Sequence, residues 1–116
     1  GEEHLVEQKD VTRFEPSHAQ DLPNMVAMHN LHEAPLLYLL QRRLKNGSIY
    51  TWAGDVLLSL NPYGPLPELY NLSRWQEDNS AKKREAAVPP HVYAIARRAY
   101  SQLREKVGMA EAERAA

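Results

Sequence analysis

Five residues, Val56-Leu57-Leu58-Ser59-Leu60, set the tightest limit on what this chain can fold into. A nearly continuous apolar run of this length reads as a strand covered on both faces, because successive side chains of an extended backbone point to opposite sides. Asn61-Pro62 ends the run, since proline has no N–H to give a ladder. A second strand is legible just before it. Ile49-Tyr50-Thr51-Trp52 is rich in β-branched and aromatic residues, and Ala53-Gly54-Asp55 supplies a turn. The pair predicts a β-hairpin. A sheet normally needs about three strands to be stable. The run from Val56 to Leu60 therefore asks for neighbours that this sequence does not contain.

Two helices flank the hairpin. The first begins near Pro35, where a missing N–H costs nothing. Leu36, Leu37, Leu40 and Leu44 follow at spacings of three and four, one apolar stripe. Arg42, Arg43 and Lys45 sit in its last turn, at the carbonyl end of the helix dipole, and Gly47 stops it. The second helix starts at Pro90. Val92, Ile95, Ala96, Ala99 and Leu103 form its expected inner stripe, and Gly108 its expected stop. A short helix is expected around Pro67 to Gln76, and an exposed connection over Glu77 to Glu85. Residues 1–22 read as a loose N-terminal arm with a short strand near Val11 to Phe14. Residues 23–108 form the structured part, and 109–116 an alanine-rich, helix-prone tail. The fold class is α/β: helix, β-hairpin, helix, with two strands of an incomplete central sheet.

The composition excludes several functions. Basic and acidic side chains number 14 and 15, a net charge of −1, so there is no electrostatic case for nucleic acid or an anionic membrane surface. There are no cysteines, which removes disulfides and thiolate metal sites. The longest apolar run, Ala34 to Leu40, is far short of the ~20 residues that span a bilayer. The charged N-terminus does not resemble a secretory signal. A cytoplasmic protein is the expectation, and the start at Gly1 suggests a processed or excised segment.

Few residues offer chemistry. His29, His32 and Glu33 include types that bind zinc, but Asn30 and Pro35 place them before the helix proper, and a surface cluster is the expected reading. Arg42-Arg43 and Lys82-Lys83-Arg84 read as solvated charges near helix ends. His91, at the start of the second helix, reads as a capping or packing residue.

Three blocks, in order and at matching spacing, resemble the myosin motor head over about residues 22–104. Leu31 to Arg43 (LHEAPLLYLLQRR) is similar to the myosin pattern L-N-E-P-x-V-L-x-N-L-x-x-R, with its proline one position later. Ile49 to Gly54 (IYTWAG), then Leu57 to Pro62, resemble I-Y-T-Y-x-G followed by an apolar run and N-P-Y/F. Pro89 to Ala96 (PPHVYAIA) resembles P-P-H-I-F-A-I-A. The resemblance implies a fragment of a larger motor domain, the N-terminal part of an ATP-driven actin motor. It also implies that Asn61, Pro62, Tyr63 and Tyr70 line part of the adenine pocket. Proline and tyrosine rings suit the flat wall a purine needs, and an amide and a phenol suit its polar edge. Two departures stand out. Tyr70 lies nine residues after Asn61, where the family spacing is eight, and Gly64-Pro65 replaces the usual basic pair.

The resemblance further implies ATP as cofactor, with magnesium only in the full-length parent. The implied partners are the actin filament and the rest of the motor, and the implied location is the cytoskeleton. Hydrolysis needs a phosphate loop, G-x-x-x-x-G-K followed by Ser or Thr, whose backbone N–H groups cradle phosphate. Gly1, Gly47, Gly54, Gly64 and Gly108 begin no such motif, and no aspartate is followed three residues later by glycine. This segment alone is expected to be catalytically inactive. The alternative is a catalytically dead, myosin-derived module that binds a protein partner. An unrelated small α/β enzyme finds no support, because no nucleophile–base pair or carboxylate pair is apparent.

Overall fold

The computed structural model describes Leu5, Glu7 and residues 13–73 and 88–116. Helix α1 (Glu33–Lys45) leads into an antiparallel hairpin of β1 (Tyr50–Ala53) and β2 (Val56–Ser59), and helix α2 (Val92–Ala115) closes the order. Short 3-10 helices lie at Pro16–Ala19, Met25–Ala27 and Pro67–Tyr70. The helix–hairpin–helix expectation holds. Within the helix expected over Pro67 to Gln76, Pro67–Tyr70 is a 3-10 turn and Leu72 and Ser73 are α-helical, while residues 74–76 lie outside the described residues. So do Val11 and Thr12, the run from Glu77 to Glu85, and Lys82-Lys83-Arg84. Arg13 and Phe14 are not in a strand. No helix among the described residues is long and apolar enough to cross a membrane.

The hairpin pairs Tyr50 with Ser59, Thr51 with Leu58, Trp52 with Leu57 and Ala53 with Val56, and Leu60 N–H extends the ladder to Ile49 O at 2.9 Å. Gly54 opens the two-residue loop at φ 63°, a backbone region that side chains resist. The other edge of β1 meets the segment before α1. Trp52 N–H donates to Pro23 O at 2.8 Å, and Asn24 Oδ1 accepts from Gly54 N–H and Val26 N–H. One side chain thereby caps a 3-10 turn and fixes the hairpin loop.

The small core sits where these pieces meet. Met25, Met28 and Leu39 are buried, with Leu22, Leu36, Leu40, Ala53 and Leu58 packed around them. The inner face of α1 differs from the stripe read in the sequence. Pro35, Leu39 and Arg43 point inward, at i, i+4, i+8, while Leu37 and Leu44 are exposed. The reason is Arg43. Its guanidinium donates from Nε to Thr51 Oγ1 at 2.9 Å, from Nη2 to Tyr50 O at 3.0 Å, and from Nη1 to Asp21 Oδ1 at 2.7 Å. The expected solvated charge is instead a buried strut between α1, β1 and the segment before the core, and it rotates the helix to suit. Arg42, also expected in solvent, donates to Ala19 O and lies over the Tyr38 ring.

Residues 13–22, the continuous described stretch of the expected arm, are anchored through His18. Its ring is fully buried. Nδ1 accepts from Glu15 N–H at 3.1 Å and Nε2 donates to His29 O at 3.0 Å, which fixes one tautomer. Phe14 and His32 stack edge-on against it.

Two further expectations change. Val56 is 60% exposed and Leu57 and Leu58 are half-buried, so β2 is not covered on both faces by the described residues. In α2 only Ala94 is buried. Val92, Ala96, Ala99 and Leu103 are exposed, because the helix touches the hairpin only through its first turns. Gly108 does not stop α2, whose neighbours in sequence are mostly good helix formers.

Candidate nucleotide-base site

The four residues implied for a base pocket fall into two groups. Asn61, Pro62 and Tyr63 form the exit of β2. Asn61 Oδ1 accepts from Tyr63 N–H at 2.8 Å, a side-chain turn that leaves the amide NH₂ for other partners. Tyr63 sits at φ 51° and is 93% exposed. A tyrosine in left-handed backbone is uncommon, and the Asn61 bond is what holds it there. The sequence shows the Asn-Pro turn but not this geometry.

Tyr70 belongs to the second group, on the far side of a 3-10 turn. Its hydroxyl lies 3.0 Å from the Tyr50 hydroxyl, and its carbonyl accepts from Tyr93 Oη–H at 3.1 Å. One residue earlier, Leu69 O accepts from His91 Nε2–H at 2.7 Å. His91 Nδ1 accepts from Tyr93 N–H at 3.0 Å and so caps α2. Capping was expected of His91. Its second bond, which ties the helix start to the 3-10 turn, was not. The four rings pack together, with centroids 5.1 Å apart for Tyr50–His91, 5.6 Å for Tyr70–His91 and 4.5 Å for His91–Tyr93. Burial and the bond to Tyr70 push the Tyr50 phenol up to about 12.

The sequence singled out Tyr70 but not the residues that hold it, Tyr50 and Tyr93. Each lay inside a quoted block as a strand or helix residue, and nothing local distinguishes a phenol that props from one that packs. The structure joins Asn61 to Tyr63 and Tyr70 to the β1–α2 cluster, and the cluster does not include the Asn61 turn.

The histidines before α1 have other partners. His29 Nδ1 lies 3.1 Å from Glu15 Oε2, and His32 Nδ1 donates to Asn30 O at 2.9 Å. Hydrogen bonds from His29 and then Asn30 hold the Glu15 carboxyl below its usual range. Elsewhere, Arg98 lies over the Trp52 ring and 3.7 Å from Asp55, while Trp52 Nε1–H donates to Val88 O at 3.1 Å. An open cavity of about 400 Å³ lies beside them, between Trp52 and the Arg97–Gln102 face of α2.

The sequence that builds this geometry has counterparts in known proteins. The sequence profile of the myosin head (motor domain) matches residues 22–109. The chain belongs to the myosin motor-domain family. It is 34% identical to the myosin-M heavy chain of Dictyostelium discoideum over 88% of its own length, and 42% identical to unconventional myosin-Ia of Gallus gallus over 72%. With unconventional myosin-VIIb of Mus musculus it shares 34% identity over 90%. The match spans only 6%, 8% and 5% of those myosins. The helix–hairpin–helix described above is thus a small α/β portion of a myosin motor domain.

Proposed function

We propose that this chain supplies the N-terminal part of an ATP-driven actin motor, with β1 and β2 as strands of its central sheet. On this reading the parent works in the cytoplasm on the cytoskeleton. Asn61, Pro62, Tyr63 and Tyr70 contribute one side of the adenine pocket. The observation that carries the reading is the clamp on Tyr70. Three side chains from β1 and the start of α2 hold its hydroxyl, its carbonyl and the carbonyl before it, and the residue stays 43% exposed. Pre-positioned aromatic rings lower the ordering cost of binding a flat ligand.

The residues present fit the base of ATP and not its phosphates. The amide of Asn61 and the phenol of Tyr70 suit a purine edge, and the Pro62 and Tyr63 rings suit its face. When bound, ATP supplies the phosphoryl group whose transfer drives a motor. This chain's own residues only hold and orient the base. Magnesium and phosphate need the phosphate loop, which this sequence does not contain, so a catalytic step falls outside these 116 residues.

The test is a nucleotide titration of the isolated chain by NMR, alongside a phosphate-release assay. Millimolar adenosine is expected to shift signals of Tyr70 and the Asn61 turn, with no ATP turnover. Turnover above a protein-free control would overturn the reading, as would adenosine shifts confined to residues remote from Asn61 and Tyr70.

A further inference from the structure

The stretch before α1 carries a titratable ring that the proposed base site does not use. His18 is 0% exposed, within the 3-10 turn at Pro16–Ala19. Both of its ring nitrogens are committed, and their partners allow one arrangement only. Glu15 N–H can only donate, so Nδ1, 3.1 Å away, carries no proton. His29 O can only accept, so Nε2, 3.0 Å away, carries the proton. These two bonds join the turn to the segment that enters α1. The neighbouring contacts depend on the same ring. Phe14 packs edge-on against it at 5.4 Å and reaches Tyr38 of α1 at 5.6 Å, and His32 packs edge-on against it at 5.4 Å.

A second proton on this ring has no acceptor. It would set an N–H at Nδ1 against Glu15 N–H, two donors face to face, and place a charge where no water reaches it. The titratable and charged groups described around His18 do not relieve this. On its own turn, the Glu15 carboxylate is engaged by His29 Nδ1 and Asn30 Nδ2, both at 3.1 Å. On the segment before α1, the His32 ring faces His18, and a charge there adds repulsion. From α1, Arg42 donates to Ala19 O and brings a fixed positive charge, while Tyr38 lies behind Phe14. One contact acts in the opposite sense, because a protonated His29 holds Glu15 more firmly. It is the weaker effect, since the His29 side chain is 81% exposed and a pair in water contributes little.

We propose that His18 is a proton-operated latch: residues 13–19 dock on the entry to α1 only while its ring is neutral, and a second proton on the ring releases them. Asp21 stays tied to Arg43 through a 2.7 Å bond, so the strut to α1 and β1 remains and the release stops short of the core. The sense follows from counting protons. The docked form keeps Nδ1 free of a proton and the released form binds one there, so docking weakens as pH falls. Below the ordinary histidine value of ~6.5, each pH unit lowers the docked-to-released ratio about tenfold. The Glu15 carboxyl, held below its usual range first by His29 and then by Asn30, stays charged while this happens.

The full 116-residue chain is titrated by NMR from about pH 8 to about pH 5, with histidine ring signals and backbone amides followed together. At the upper end His18 is expected as the Nε2–H tautomer. As its ring takes the second proton, the amides of Glu15 and His18, each hydrogen-bonded in the docked turn, are expected to lose exchange protection with the same midpoint. The hairpin amides of Trp52 and Leu60 are expected to keep theirs through that step. His18→Asn retains an acceptor near the Nδ1 position but takes no proton in this range, so its residues 13–19 are expected to show no step, docked or loose. His29→Gln is expected to retain the step, because that exposed ring is not the trigger. A step that survives in His18→Asn overturns the proposal, and so does its loss in His29→Gln. Residues 13–19 still protected at about pH 5 overturn it, whether or not the His18 ring has charged. Hairpin protection lost at the same midpoint overturns it as well, since the whole fold would then be opening.

Discussion

Arg43 illustrates how much one side chain decides. Its guanidinium is buried, and its five N–H groups in a fixed fork reach a strand hydroxyl, a strand carbonyl and a carboxylate at once. Arg43→Leu would keep the helix and strand but leave the fully buried Thr51 hydroxyl and the Tyr50 carbonyl without this donor. A loss of roughly 3 kcal/mol or more is expected, read as a lower urea midpoint. Asp21 is more exposed, so Asp21→Asn should cost under ~1 kcal/mol in the same measurement. Two groups give pH dependence of opposite sense. Tyr50 has a raised folded pKa, so its neutral form stabilises the fold fully below the ordinary 10.0, and that share is lost as pH rises through about 12. Tyr50→Phe should flatten this alkaline loss in urea midpoints taken across that range. Glu15 has a lowered folded pKa, so its contribution is present above the ordinary 4.5 and fades as pH falls through the folded value.

At the scale of elements, the hairpin and α2 place opposite demands on glycine. Gly54 lies at φ 63° in the hairpin loop, and Gly54→Ala would strain that backbone even though the nearest side-chain atom, Val26 Cγ1, is 3.9 Å from the new methyl. Gly108 lies inside a helix, and an alanine methyl there would meet no atom of another element within 4 Å, so only propensity acts. Gly108→Ala is expected to gain about 1 kcal/mol of helix stability, visible as stronger circular dichroism at the helix minimum and a later loss on heating. That both α1 and α2 exist was legible from proline starts and three–four spacing. Which face each turns inward was not. In α1, an arginine outcompeted two leucines for the interior because it had three partners waiting. In α2, the expected stripe of Val92, Ala96, Ala99 and Leu103 found no surface to cover among the described residues.

For the molecule as a whole, the notable feature is a small core beside unsatisfied apolar surface. Met25, Met28 and Leu39 are enclosed, while Val56, Tyr100, Leu103, Val107 and Met109 are exposed. Among the described residues β2 pairs only with β1, which leaves its other edge open to strand addition. The isolated chain is expected to self-associate as concentration rises, seen by light scattering. Val56→Lys should suppress that association without shifting the urea midpoint, because Val56 is 60% exposed and contributes little to the core.

What the amino-acid order determined is local: where helices begin, where the hairpin turns, and that an apolar strand ends at Asn-Pro. Backbone preference and side-chain period act over a few neighbours, so these features are written in consecutive residues. The partners of Arg43, the burial of His18 and the Tyr50–Tyr70–His91–Tyr93 cluster were decided only in three dimensions. Each joins residues separated by many positions, and the energy that selects them comes from satisfying polar groups taken out of water, a quantity no single stretch of sequence contains.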